Sequence, residues 1–184
     1  RTVNENVEKR TNYNIGTDYV IQERWILTTI KLQSGEFTWK YKEPDYERFK
    51  LSQDYGIESL TKVMIDESTD IKVGDKLEVG NMLMAISTKE FGETAVLEGN
   101  VNDEHWFNYL NALGRTPKGV LISSNLAKKY DLHEGDSIHY LRYSPLDPKK
   151  ADLDTSAVIC GIVDAFPGYE STVYETQSDG SIEP

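Results

Sequence analysis

Apolar positions along the chain fall into short runs and two periodicities. Val120-Leu121-Ile122 is long enough for a buried strand and too short for a helix. Ser123 and Ser124 follow, and a serine oxygen accepts from the free N–H groups of a first helical turn. Leu126, Ala127 and Tyr130 then recur at helical spacing, with Leu132 placed to tuck back against that helix. Gly135-Asp136 marks a turn, and Ser137 to Tyr143 returns as a strand. Val158 to Val163 is a second apolar run, expected to pair near the first and to end at Phe166-Pro167-Gly168.

The same signals order the rest of the chain. Thr2 to Tyr13 carries Val3, Val7 and Arg10 on one helical stripe, a polar helix with a thin apolar seam. Asp18 to Trp25 reads as a strand. Ile26 to Leu32 and Phe37 to Lys42 flank the polar connector Gln33 to Glu36, a hairpin signal. Phe37, Trp39 and Tyr41 alternate with polar residues, so three rings share one face. That face either covers core or stands exposed as an aromatic platform for a partner. Pro44 fits a first helical turn, followed by Tyr46, Phe49 and Lys50 on one face.

Ile57 to Ile65 alternates as a strand, and Asn81 to Ile86 forms another. Ser87 and Glu90 have the spacing of a capping box before a short helix through Phe91. Asn102 or Asp103 is placed to cap the next helix. Trp106, Tyr109, Leu110 and Leu113 line its inner side, and Gly114 is placed to end it. Ser144 to Asp154 reads as a loop, and Gly168 to Pro184 as a polar, acidic, poorly ordered tail. Ile71 to Leu77 and Leu132 to Ile138 both read apolar-x-x-G-D-x-apolar, a turn whose glycine takes positive φ and leads into a strand. The fold class is α+β, mixed sheets with short helices.

Composition narrows the function classes. The chain has 184 residues, 38% hydrophobic and 10% aromatic, enough for a folded body. A formal net charge of −11 argues against nucleic acid and against anionic lipid, which need a basic footprint. The single cysteine, Cys160, lies inside an apolar strand and reads as a small buried hydrophobe. No apolar stretch approaches the roughly 20 residues of a membrane span. The abrupt start at Arg1-Thr2 reads as a piece of a longer protein.

Catalytic chemistry has no local signature. His105, His133 and His139 form no zinc motif, and there is no serine elbow, phosphate-cradling loop or dinucleotide fingerprint. Asp152 and Asp154 resemble half a calcium loop without its glycine and distal glutamate, and read as a solvated acidic loop. No catalytic, metal or cofactor residue is assigned.

The strand at Val120, then Ser123 to Lys129 as S-x-N-L-A-K-K, Leu132 to Ile138 as L-x-x-G-D-x-I, and Val158 to Gly168 as VICGIVDAFPG occur in that order. This order resembles the extracytoplasmic domain of FtsX-like and MacB-like ABC transporter permeases, from about Ile57 to Tyr169. The resemblance implies a non-catalytic domain outside the membrane that couples ATP-driven helix motion to export or to an extracellular partner. It implies partners in other parts of the assembly, an ABC ATPase subunit and the permease's transmembrane helices. It implies a juxtamembrane lever helix over 1–17 and a body over 18–169. That body would hold a porter-like βαβ lobe over 18–66, joined by C-terminal strands, and a β-rich lobe over 67–157, before a tail at 170–184. Candidate output surfaces are the Trp39 and Tyr41 face, the Ser144 to Asp154 loop, and the helix carrying Trp106 and Tyr109. Two other classes remain open. One is an extracellular sensor with an aromatic cleft and an acidic rim suited to cationic peptides. The other is a secreted hydrolase, against which the absence of any nucleophile motif argues.

Overall fold

A computed structural model describes residues 26–42, 59–95, 102–143, 149, 151–167, 169–170, 175–176 and 182–183. The expected helices at Thr2 to Tyr13 and after Pro44, and the strand at Asp18 to Trp25, lie outside the described residues. The fold is α+β. β1 (Ile26–Lys31) and β2 (Phe37–Lys42) pair antiparallel as the expected hairpin, turned by Gly35 at φ 85°. β3 (Val63–Val73) and β4 (Lys76–Ile86) form a long ribbon. After it come α1 (Thr88–Thr94), α2 (Trp106–Arg115), β5 (Gly119–Ser123), α3 (Ser124–Tyr130), β6 (Ser137–Tyr143) and β7 (Ala151–Val163). Short pairings close the chain: β8 (Ala165–Phe166) with β9 (Tyr169–Glu170), and β10 (Glu175–Thr176) with β11 (Ile182–Glu183).

The main sheet has five strands in the order β4-β3-β6-β7-β5. Its one parallel pair is β5 with β7, so the two apolar runs lie side by side, Gly119 opposite Val158 and Ser123 opposite Val163. β7 is longer than its apolar run. It begins at Ala151, inside the expected loop, because Leu153 and Ala151 pair with Arg142 and Tyr143 of β6. Asp154 therefore sits in a strand, where it meets His139 at 2.8 Å across the β6–β7 pair. Residue 66 lies inside β3 and residue 157 inside β7.

Two apolar clusters cover opposite faces. One joins Phe91, Trp106, Tyr109, Leu110, Val163 and Phe166, with Met84, Ile86 and Leu121 at its margin. The other joins Ile122, Ala127, Leu132, Ile138, Ala157 and Ile159, with Ile71 and Val73 at its margin. β7 serves both because it bulges. Val120 faces Ile159 but Leu121 faces Gly161, so Cys160 is an extra residue and the alternation flips there. The Cys160 thiol donates weakly to the Val120 carbonyl at 3.4 Å, and burial pushes its pKa up. Gly161 then lies flat beneath the Tyr109 ring. A Cβ at Gly161 would stand 2.8 Å from Leu121 Cδ2 and 2.9 Å from Tyr109 Cδ1.

The ribbon carries two bulges that cancel. β3 gains a residue between Asp66 and Thr69, and β4 gains one between Glu78 and Asn81, at Gly80 with φ 71°. Polar side chains brace both. Asp66 Oδ1 accepts from the Ser68 N–H and hydroxyl, each at 2.9 Å, and Asp70 accepts from Gly80 N–H at 3.0 Å. Glu78 reaches α3, accepting from Lys129 Nζ at 2.8 Å and from the Tyr130 hydroxyl. The hydrogen bonds from Lys129 and then Tyr130 hold the Glu78 carboxyl below its ordinary range.

Two predictions follow from this packing. Gly161→Ala forces a methyl against the Leu121 side chain and the Tyr109 ring and lowers stability by about 1–3 kcal/mol, read from urea unfolding; an unchanged midpoint would refute the packing. A carboxyl with a depressed folded pKa stabilises above its unfolded value, near 4, and loses that contribution as pH falls through the folded value. Glu78→Gln therefore melts below wild type at about pH 7, and the gap closes by about pH 3.

Candidate functional site

The described surface holds a cleft of about 540 Å³ where β5 and β7 end together. Its wall is α3. Ser123 caps that helix as expected, its hydroxyl accepting from Leu126 N–H at 3.2 Å. The helix stops at Asp131, which takes the left-handed conformation at φ 53°, and Leu132 turns back so that its N–H reaches the Ala127 carbonyl at 2.9 Å. The loop after it closes on itself: Asp136 accepts from the His133 N–H at 2.8 Å, and Gly135 sits at φ 92°. Gly74 holds φ 58° in the matching ribbon turn, so the two glycine-aspartate turns share their positive φ.

The opposite rim is Asn102 to Glu104. Asn102 does not cap α2. Its Oδ1 accepts from Asp164 N–H at 2.8 Å and Ala165 N–H at 3.3 Å, and its Nδ2 donates to the Ala165 carbonyl at 3.2 Å. It thus pins the end of β7, satisfying backbone groups where strand pairing stops. The cap of α2 is His105, whose Nδ1 accepts from Phe107 N–H at 3.4 Å. Ser87 holds the cap position of α1, but its side chain makes no capping bond. α2 runs past Gly114 to Arg115.

Charge dominates the cleft. Asp103, Glu104, Asp131, Glu134 and Asp164 line it against one lysine, Lys128, and one imidazole, His133. Ala127, Leu132, Ile162 and the Tyr109 ring supply an apolar floor. Burial pushes the Tyr109 hydroxyl's pKa up against a backbone bond at Glu104, and the charges of Glu104, Asp103 and Glu134 push the same way. Carboxylates over an apolar floor favour a cationic, partly apolar ligand, with long-range attraction fading over about 10 Å in ordinary salt. Among the described residues no group of His, Cys, Asp and Glu is placed to hold a metal ion.

The expected surface aromatics divide. Trp106 and Tyr109 come together, but in the core: they are 2% and 5% exposed, and Trp106 packs edge-on to Phe166 at 5.0 Å. Both lie on the inner side of α2; Trp106 is enclosed there, while Tyr109 also lines the cleft. What α2 shows to solvent is Phe107, 52% exposed and stacked on His105 at 5.3 Å. The register places Trp39 opposite Thr29 and Tyr41 opposite Leu27, on the face shared with Phe37; the two side chains lie outside the described residues. Phe37 itself is 68% exposed. The cleft carboxylates were not singled out from sequence, since they are scattered from 103 to 164 in an acid-rich chain.

No protein-family model and no curated protein matches the chain. No helix among the described residues is long and apolar enough to cross a membrane.

Asn102→Ala leaves the half-buried Ala165 N–H and carbonyl without their partner. The expected cost is about 1–3 kcal/mol in denaturant unfolding, with faster amide exchange at Asp164 and Ala165. Unaltered exchange there would remove the pinning role.

Proposed function

We propose that this chain is the extracytoplasmic domain of an ABC transporter permease of the FtsX-like or MacB-like kind. One observation supports it most. The two apolar runs that carry the resemblance, Val120–Ile122 and Val158–Val163, are adjacent strands in parallel register with a core on each face. A strand pair braced on both faces, as β5 and β7 are, shifts as a unit, because packed interiors are not continuously deformable. Such a block suits the passing of displacement from membrane helices to a partner outside. The ATP-hydrolysing subunit would be a separate chain across the membrane.

The test is the natural full-length protein. On this reading it requires detergent for extraction, this domain is cut by protease added to intact cells, and an ATPase subunit co-purifies with it. Recovery of the natural chain in the soluble fraction without detergent would overturn it.

The acidic cleft favours a second reading, capture of a cationic peptide by the same domain. A short lysine-rich peptide titrated by calorimetry should then bind, more weakly as salt rises and more weakly still in an Asp131→Asn, Glu134→Gln variant. No heat at millimolar peptide in low salt would remove that reading.

A further inference from the structure

The seam between β3 and β6 is only partly zipped by backbone. β6 stays paired with β7 to its last residue, and β3 stays paired with β4 from Val63 to Val73 except at the two bulges. The two pair with each other at Asp70, Ile71 and Lys72 alone, opposite Leu141, Tyr140 and His139. The break coincides with the β3 bulge between Asp66 and Thr69, which carries β3 off the line of β6.

Side chains take over where the ladder stops. Farther along, Arg142 Nε donates to Asp66 Oδ2, with the Asp66 side chain 13% exposed. Asp66 also braces the bulge through Ser68, so both its oxygens are engaged. On the same strand Thr69 is 1% exposed, and its hydroxyl has no partner. A sealed, unsatisfied hydroxyl marks the seam as less well satisfied than the paired strands around it.

We infer that the Asp66–Arg142 pair is a latch across a gate in the sheet. When it parts, β3 from Met64 to Thr69 separates from the end of β6 while β5, β7 and the cores behind them stay closed. The device needs no ligand and does not depend on the transporter reading. Low-stability openings of this kind follow places where few backbone bonds cross between elements. The Glu78 tie to α3 holds the far half of the ribbon, beyond both bulges, and is not part of the latch.

Amide exchange on the whole chain tests this. Arg142→Met keeps the aliphatic stem and the Asp66–Ser68 brace but removes the charged bond. Exchange at residues 64–69 and 141–143 should then rise about ten- to a hundredfold, the range for a charge-assisted bond. Exchange in 119–123 and 157–163 should stay as in wild type. Glu78→Gln should leave 64–69 unchanged. Wild type in about 1 M salt, where the screening length falls to about 3 Å, should show the same regional rise in smaller measure. Unchanged exchange at the seam in Arg142→Met would overturn the latch. So would an equal rise in every strand, because the pair would then support the whole fold and gate nothing.

Discussion

The pairing of β7 on both its edges is the constraint from which the rest follows. It runs parallel to β5 and antiparallel to β6, so it fixes the direction of every strand in the sheet. One inserted residue, Cys160, lets it present Ala157 and Ile159 to one core and Val163 to the other. A strand in strict alternation would hold all three on one face. Gly161 is the local cost of that switch, a residue kept small because Tyr109 and Leu121 occupy the space of a side chain.

Polar contacts do a different task from the apolar ones. The cores hold β5, β7 and the helices and take in Ile71, Val73, Met84 and Ile86 of the β3–β4 ribbon at their margins, while Asp66 ties the ribbon to β6 and Glu78 ties it to α3. Burial works against the charge on Asp66, but bonds from Ser68 and Arg142 outweigh it and keep that carboxyl below its ordinary range. Part of the chain's acidity is thus spent on structure, and another part gathers at the cleft where β5 and β7 end.

Much of this was legible in sequence wherever local signals and burial agree. The run at Val120, the serine cap, the turn glycines at 74 and 135, and the inner side of α2 are set by neighbours in the chain, and the structure has each of them. What sequence missed depends on distant partners. Ala151 to Asp154 looks like loop until β6 lies beside it. Asn102 resembles a helix cap, and is used instead by backbone 62 residues away. The spacing of Ser87 and Glu90 matches a capping box whose serine bond is not made. The cleft carboxylates belong to three separate segments, so no window along the chain could have grouped them.

The bulge at Val79–Gly80 has a consequence for how the molecule behaves in a crowd. β4 is an outer strand of the sheet, long and carrying exposed Leu77 and Val79, the sort of border that recruits copies of itself into fibres. The bulge breaks its straight run, and the Glu78 carbonyl is already taken by the Asn81 amide. An incoming strand finds no continuous template, and two molecules carrying eleven excess negative charges each repel on approach. Protection against fibre growth is thereby written into the same irregularity that shapes the ribbon.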